Sequence, residues 1–273
     1  MPRPPGPVDP AALLAAYDTQ LREEAEVARA TSWQRHGPLL WAVFDRQGMV
    51  TYRDLDGARG EELDALIEAT LAHFRTVESV DTLEWKTRGH DAPADLGERL
   101  MSHGFVPEEV ETVMIGLAAA LAVEVEIPPD VTIRRAGDSG ALLEDVQRAS
   151  AMQAQVFGRG AGRDAERVAE QLAADPEHLQ LWMAESAGLV VSAGTLDIVD
   201  GTEFAGLWGG AVLPDWRGRG IYRSLVAVRA RAAVDRGVRY MHSDCSSMSR
   251  PILQRSGLVA VTTTTPYAWS PPT

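Results

Sequence analysis

Three arginines and two glycines form a compact group where a buried strand ends and a helix begins: Arg217, Gly218, Arg219, Gly220 and Arg223. A helix N-terminus presents unpaired amide N–H groups and the positive end of the helix dipole, so it binds phosphate well. Glycine lets the backbone come close to an anion, and a guanidinium fork matches phosphate oxygens. The group therefore predicts a phosphate-binding loop. The competing interpretation is an arginine-rich loop that only solvates the start of a helix.

Two other phosphate-binding patterns do not fit the sequence. A P-loop ends in Gly-Lys-Ser/Thr, but Lys86, the single lysine, lies far from any glycine-rich turn. A dinucleotide fingerprint that began at Gly218 would need its third glycine at position 223, which is Arg223.

The elements that must position this loop alternate along the chain. Apolar spacing predicts helices at 11–30, 61–74, 95–103, 140–157, 164–174, 220–236 and 249–255. It predicts strands at 39–44, 49–52, 82–85, 111–117, 131–135, 179–184, 189–198, 204–212, 238–243 and 259–269. The fold class is therefore α/β or mixed α+β, with sheets flanked by helices.

A proline-containing segment, Glu124–Asp130, predicts a linker between domains 1–127 and 128–273. The segment from Trp85 to Gly104-Phe105 faintly repeats in the segment from Tyr240 to Gly257-Leu258. Charge is unevenly divided, since residues 1–127 carry 23 acidic and 11 basic side chains and residues 128–273 carry 16 and 15. Only the second domain suits a polyanionic ligand.

Composition excludes several classes of protein. A net charge of −13 argues against nonspecific nucleic-acid binding, which needs a basic surface. No apolar run approaches the roughly 18 residues that cross a bilayer, and no signal segment follows Met1, so we expect a cytoplasmic protein without a membrane partner. Cys245 is the single cysteine, which excludes an internal disulfide and makes a cysteine-based zinc site implausible. We expect no metal.

The stretch Val212-x-Pro214-x-x-Arg217-Gly218-Arg219-Gly220-Ile221-Tyr222 resembles motif A of the GNAT superfamily of N-acetyltransferases, whose core pattern is Arg/Gln-x-x-Gly-x-Gly/Ala after a strand. The resemblance covers about Val131 to Trp269. It implies a mixed sheet that splays open at the strand carrying Val212, acetyl-CoA as cosubstrate, and direct attack of an acceptor amine on the acetyl group. It is consistent with a tandem protein whose N-terminal domain is GNAT-like but has no cofactor motif.

The resemblance also implies which residues hold the cofactor. Backbone around Gly210, Ala211 and Val212 would bind pantetheine and polarise the thioester carbonyl, as in an oxyanion hole. Backbone N–H groups would hold the pyrophosphate along the stretch Arg217, Gly218, Arg219, Gly220, Ile221 and Tyr222. Ser246 stands where the family often has an asparagine that contacts the cofactor.

Two positions depart from the family pattern. Tyr222 replaces the last glycine or alanine of motif A, which makes the cradle a looser fit. Leu253 stands where many members carry the tyrosine that protonates the departing CoA thiolate, and Gly257-Leu258 replaces their Gly-Phe.

Glu203 and His242 are the candidate acid–base residues. Glu203 precedes the glycine-rich strand, although its place after Asp200-Gly201-Thr202 favours a solvated loop residue. His242 lies in a strand beside the predicted site and titrates near neutrality in its unperturbed form, although a buried structural histidine is an equal alternative. Trp208 either lines the acceptor side or fills the sheet.

Other residues near the site have more ordinary interpretations. Cys245 is interpreted as structural and Tyr267 as a core aromatic, while Ser246, Ser247 and Ser249 either bond the cofactor or, for at least one of them, cap the next helix.

The sequence predicts an acetyl-CoA-dependent N-acetyltransferase that acts on the amine of a small molecule or peptide. The excess acidity of residues 1–127 favours a cationic acceptor. The alternative is a noncatalytic acyl-CoA-binding or regulatory protein on the same fold. We expect either a monomer with two pseudo-dimeric domains or a homodimer.

Overall fold

The computed structural model describes residues 9–158 and 165–271. Its helices are α1 Pro10–Gln20, α2 Glu61–Phe74, α3 Leu96–Ser102, α4 Ala118–Leu121, α5 Leu142–Phe157, α6 Ala165–Ala174, α7 Ile221–Val234 and α8 Arg250–Ser256. Its strands are β1 Ser32–His36, β2 Leu39–Phe44, β3 Gln47–Thr51, β4 Thr82–Arg88, β5 Val106–Pro107, β6 Glu111–Leu117, β7 Thr132–Arg135, β8 Leu179–Ser186, β9 Leu189–Ile198, β10 Phe204–Val212, β11 Tyr240–Cys245 and β12 Val259–Trp269. Residue 164, where one helix was predicted to begin, lies outside the described residues.

The described chain forms two compact units that are not its sequential halves. The C-terminal unit consists of Ile115–Ser243 and Pro251–Val259. The N-terminal unit consists of the described residues up to Met114, Asp244–Arg250 and residues 260–271. The predicted division of the sequence into two related halves at residue 127 stays a prediction. The compact units do not follow this division, because each contains residues from both sides of it.

The C-terminal unit contains a mixed sheet covered on both faces. Strands β7, β8, β9 and β10 pair antiparallel in that order, and β10 pairs parallel with β11. Helix α5 packs on one face, where Met152 and Met183 belong to one hydrophobic core, and α7 packs on the other, where Ile221 and Ala184 belong to another. Neighbouring side chains of a strand point to opposite faces, so Met183 faces the α5 layer and Ala184 faces the α7 layer.

The N-terminal unit has its own sheet and core. Strands β1, β2 and β3 pair antiparallel in that order, and β3 pairs parallel with β4. Helix α2 buries Leu63, Ile67 and Leu71, which recur every three to four residues along one face. These side chains join a core that also contains Trp85 and Trp269.

Strand β12 completes the sheet of the N-terminal unit, although it comes from the end of the described chain. It pairs antiparallel with β4, with Thr264 opposite Arg88 and Trp269 opposite Leu83. The hydroxyl of Thr264 donates to the carbonyl of Thr87 at 2.8 Å. The sequence placed this strand with residues 128–273, but β4 satisfies its backbone hydrogen bonds and the N-terminal core buries Trp269.

The faint sequence repeat corresponds to a repeated succession of elements. In both copies a parallel strand pair, β3 with β4 or β10 with β11, is joined by a long helix and followed by a short one. The short helices end alike, since Phe105 N–H donates to Leu100 and Leu258 N–H donates to Leu253, at 3.0 and 3.1 Å. The preceding residue in each copy is a glycine with positive φ, Gly104 or Gly257, as this type of helix end favours.

The mixed sheet flanked by helices confirms the predicted fold class. Within the described residues, none of the helices is both long and apolar enough to span a bilayer.

Candidate active site

Two consecutive glycines interrupt β10 near its carboxyl end. The antiparallel register with β9 shifts between Trp208 and Ala211, which leaves Gly209 and Gly210 as a β-bulge. Gly209 has φ +60°, a value that favours glycine. Bulges re-aim backbone groups and often lie next to functional sites.

Side chains from both helical layers hold the bulge. Gln153 of α5 donates from Nε2 to the carbonyl of Gly209 at 2.7 Å. On the other face, a Cβ added at Gly210 would lie 2.9 Å from Cε2 of Tyr222. The ring of Tyr222 therefore packs directly on the glycine backbone, and it is only half-buried.

Strands β10 and β11 separate just before the bulge. Their parallel pairing runs from Phe204–Tyr240 to Gly206–His242 and stops there. At the next position the hydroxyl of Ser243 donates to the carbonyl of Leu207 at 2.9 Å. The Ser243 side chain thus replaces a backbone hydrogen bond between the two strands at Leu207. Beyond this point β10 and β11 are no longer paired, and a split opens between them along the remainder of β10.

The split leads to the start of α7. A 3₁₀ turn, Pro214–Trp216, precedes the helix, whose N-cap is Gly220 at φ +80°. No side chain caps α7, and its first turn contains no acidic residue. Its first amide N–H groups therefore keep their capacity to bind an anion, which fits the pyrophosphate of acyl-CoA.

The arginines of this loop are held at its outer surface. Arg217 donates from Nε to the carbonyl of Val212 at 3.3 Å, and the Arg219 guanidinium lies 4.9 Å from the centroid of the Trp216 ring. Both side chains remain exposed, so their other N–H groups face solvent. The loop thus combines the N–H groups of a helix start with guanidinium charge, as the sequence predicted.

The structure gives a reason for glycine at position 220 that the sequence did not reveal. A Cβ at this position would lie 2.6 Å from the carbonyl oxygen of Glu126, in the predicted linker. Gly218, by contrast, has open space around the equivalent position and φ +74°. Gly218 therefore leaves space for an anion to approach the backbone closely, whereas glycine at position 220 also leaves space for the linker backbone.

The structure places Glu203 away from this site. It precedes β10, whereas the bulge lies near the carboxyl end, about 20 Å along the strand at roughly 3.3 Å per residue. Its carboxylate pairs with Arg239 at 3.3 Å, and both side chains are largely exposed. The structure does not bring Glu203 together with the bulge or the α7 N-terminus.

The structure does bring His242 close to the opening of the split. The imidazole is buried and lies edge-on to Trp208, with ring centroids 5.2 Å apart. Trp208 folds back over Gly206, where an added Cβ would lie 2.3 Å from the indole Nε1. Of the two predicted acid–base residues, His242 is the one beside the split.

Residues at the end of β11 and beyond it have structural contacts in the N-terminal unit. Ser246 accepts backbone hydrogen bonds from Ser249 and Arg250 and forms the turn before α8. Burial raises the pKa of the Cys245 thiol to about 11, which agrees with a structural role. Tyr267 packs against the N-terminal core, also as expected. The cofactor contact assigned to Ser246 stays a prediction.

Leu253 is buried, with 1% of its surface exposed. An aliphatic side chain therefore fills the position where the resemblance implies a tyrosine acid.

The parallel pair of the N-terminal unit also separates, but charged side chains fill the split. Pairing of β3 with β4 stops at Val50–Trp85. Beyond it, Glu26 accepts hydrogen bonds from Thr51 on one strand and from Arg88 on the other, and Lys86 Nζ lies 3.0 Å from Oε1 of Glu26. Glu26 therefore bridges the separated strands.

The pKa shifts of Glu26, Lys86 and Arg88 favour the charged form of each side chain. Burial alone would raise the pKa of Glu26, but Arg88 and Lys86 hold it well below its usual range. Burial alone would lower the pKa of Lys86, but Asp244, at 2.9 Å, and Glu26 raise it above its usual range. The N-terminal split is therefore an ion-paired interior, unlike the split between β10 and β11.

Helix α2 also differs from α7 at its start. Gly60 is its N-cap, at φ +56°, but Glu61, Glu62 and Asp64 lie in the first turn. These carboxylates already complement the helix dipole and would repel a phosphate group. Within the described residues, no cluster of metal-ligating side chains was found.

Comparisons with known proteins agree with this geometry. The model of the acetyltransferase (GNAT) family matches residues 148–250, which include the bulge and the α7 N-terminus. A search among curated proteins gave no match.

Solved structures resemble nearly the whole chain. A GCN5-related N-acetyltransferase from Kribbella flavida is 16% identical, with 96% of each chain covered and a TM-score of 0.66. Another from Sphaerobacter thermophilus is 20% identical, with 85% of this chain and 76% of that chain covered and a TM-score of 0.64. A tandem GNAT protein from the clavulanic acid biosynthesis pathway is 14% identical over 86% and 79% of the two chains, with a TM-score of 0.56.

At these identities the solved structures establish the fold. Residues 148–250 are similar to the acetyltransferase (GNAT) family, the family that the sequence resemblance indicated.

Proposed function

We propose that the C-terminal unit binds acetyl-CoA and transfers its acetyl group to an acceptor amine. One observation carries the proposal: the split that opens at Leu207 passes a glycine bulge and ends at an uncapped helix N-terminus surrounded by arginines. This arrangement fits an elongated ligand whose amide-bearing arm can hydrogen-bond to the unpaired backbone of β10 and which also carries phosphate groups.

The chain supplies binding and orientation. Backbone N–H groups from Gly218 to Tyr222 would hold the pyrophosphate, and Arg217 and Arg219 would add charge-assisted hydrogen bonds. Backbone N–H groups at the bulge, from Gly210 to Val212, would polarise the thioester carbonyl. The acceptor nitrogen then attacks the carbonyl carbon, and the C–S bond breaks to release CoA. His242, beside the split, is better placed than Glu203 to take the proton of the amine.

One acyl-CoA site per chain is part of the proposal. The N-terminal split contains the Glu26–Lys86–Arg88 ion pairs, and the first turn of α2 is acidic. Both features oppose binding of a second CoA. The acceptor is an amine of a small molecule or peptide, and the acidity of residues 1–127 favours a cationic one.

A noncatalytic acyl-CoA-binding or regulatory role is the second candidate. It is favoured by Leu253, which removes the family's usual proton donor. The two functions differ in turnover but share cofactor binding.

A single set of measurements tests both candidates. The full chain is incubated with acetyl-CoA and spermidine, tyramine, glucosamine, kanamycin or a tripeptide with a free N-terminus, and release of free thiol is followed. Thermal unfolding is measured with and without acetyl-CoA, which at 100 times its Kd would stabilise the protein by about 2.7 kcal/mol.

Amine-dependent thiol release supports the enzyme. A raised Tm without thiol release from any acceptor supports the noncatalytic role. An unchanged Tm at saturating acetyl-CoA would overturn both.

A further inference from the structure

The proposed reaction needs a proton for the departing thiolate, and the side chain of Tyr222 brings a hydroxyl to the bulge. The ring lies on Gly210, and a Cβ there would be 3.1 Å from the tyrosine hydroxyl oxygen. Because Gly210 is part of the backbone that would polarise the thioester, this hydroxyl would lie near the bond to be broken in the proposed complex. The residue that departs from the family's motif A is therefore also the one that brings a phenol to the bulge.

Arg229 lies on the same face of α7, two helical turns after Tyr222. Its Nε donates to the carbonyl of Leu225 at 3.0 Å, and its Nη1 donates to the carbonyl of Thr195 at 2.9 Å. The guanidinium packs on Gly194, which lies opposite the bulge in the β9–β10 ladder. Arg229 and Tyr222 thus approach the same stretch of sheet from the same side.

The charge of Arg229 is buried without a carboxylate partner among the described residues. Its surface is 1% exposed, and Nη2 has no hydrogen-bond partner. Burial lowers the pKa of Arg229 to about 10, and its electrostatic interaction with Tyr222 opposes this shift. A lone buried cation is costly, and it stabilises negative charge that forms nearby. A phenolate at Tyr222 would provide that charge.

We propose that Tyr222 donates the proton to the departing CoA thiolate and that Arg229 stabilises the resulting phenolate. This proposal rests on the acetyltransferase activity proposed above. As the C–S bond breaks, its electron pair goes to sulfur, which takes the phenolic proton to give free CoA. The acceptor nitrogen loses its own proton to the base, and water returns a proton to the phenolate.

Tyr222→Phe tests the hydroxyl alone, because the ring that packs on Gly210 remains. With the acceptor that gives the fastest thiol release in the panel, we expect kcat to fall by about 100-fold, within the range of general-acid effects. The Tm increase caused by acetyl-CoA should be unchanged. Tyr240→Phe is the matched control, because Tyr240 lies where β10 and β11 are still paired, and its kcat should stay within about twofold.

The pH profile separates proton donation from a structural role. Wild-type kcat should fall at high pH as the donor loses its proton, and Tyr222→Phe should lack this limb. Arg229→Met should move the limb to higher pH, since the phenolate loses its neighbouring cation.

The outcomes distinguish the two proposals. Wild-type turnover with an unchanged kcat in Tyr222→Phe would overturn proton donation and leave the acetyltransferase proposal intact. Loss of the acetyl-CoA-induced Tm increase in Tyr222→Phe would also overturn it, because the residue would then act in cofactor binding. Absence of turnover in the wild-type chain is instead a failure of the proposed activity.

Discussion

The Tyr222 ring lies on Gly210 so closely that a single added carbon at Gly210 would be 2.9 Å from the ring. The helix that follows the phosphate-binding loop is thereby in direct contact with the bulge. This contact predicts how substitutions at the two positions combine.

Gly210→Ala should destabilise the chain by about 1–3 kcal/mol, the usual cost of overpacking a tight site. In Tyr222→Ala the obstructing ring is absent, so adding Gly210→Ala to it should cost much less. A double-mutant cycle of urea unfolding should therefore give coupling of about 0.5–3 kcal/mol. Additive effects would show that the ring moves aside freely.

Arg217→Ala should weaken CoA binding by about 10- to 100-fold, because hydrogen bonds to charged groups contribute roughly 1.5–3 kcal/mol. Isothermal titration calorimetry with CoA measures this effect. Arg231→Ala, an exposed arginine in the last turn of α7, should leave the affinity within about twofold. Equal losses in both variants would indicate a general effect of net charge.

Glu203→Gln should leave kcat and KM within about twofold, because Glu203 is exposed at the opposite end of β10 and pairs with Arg239. Steady-state thiol release with the best acceptor checks this expectation. A large fall in kcat would restore Glu203 as a candidate base and would require β10 to be repositioned.

Acid should unfold the N-terminal unit through Glu26. Its pKa in the folded chain lies below the ordinary value of 4.5, so the unfolded chain binds more protons as the pH falls below that value. The contribution of Glu26 to stability is therefore fully present above about pH 4.5 and decreases as the pH drops further. Tryptophan fluorescence during acid titration would report this loss, because Trp85 and Trp269 lie in the N-terminal core. Glu26→Gln should flatten the dependence, and an unchanged titration would contradict the role of Glu26.

Cys245 should react slowly with thiol reagents in the folded chain. With a pKa of about 11, only about one thiol in a thousand is ionised at pH 8. We expect labelling by a chromogenic disulfide to be complete within minutes in urea but much slower in buffer, and Cys245→Ser to retain acetyl-CoA binding. Rapid labelling of the folded chain would show that the thiol is accessible.

The sequence predicted much of the local structure because the signals are local. Alternation and apolar runs identified β2, β9, β10 and β12, and the glycine-flanked arginines identified the start of α7. Strand β1 was missed because nearly all its side chains are exposed, which removes the apolar pattern.

Long-range relationships were not predictable in the same way. Nothing local indicates that β12 pairs with β4, since this depends on which strand edge is open. Glu203 was predicted as a base because it is close in sequence to the glycines. An extended strand of nine residues spans about 30 Å, however, so closeness in sequence does not place a residue at the far end of the strand. Consecutive glycines at 209 and 210 do indicate a bulge. They do not indicate that the Tyr222 ring covers the bulge, or that Arg229 packs on Gly194 in the neighbouring strand β9.

The pairing of β4 with β12 also determines when the sheet of the N-terminal unit can be completed during translation. Thr87 and Thr265, joined by a hydrogen bond, are 178 residues apart. At roughly 5–20 residues per second, β4 emerges about 10–35 s before its partner is made. During that time its unpaired edge could recruit another nascent chain, because the free N–H and C=O groups of an edge strand are a template for pairing. The first half of the chain thus completes its fold only after most of the second half has been translated.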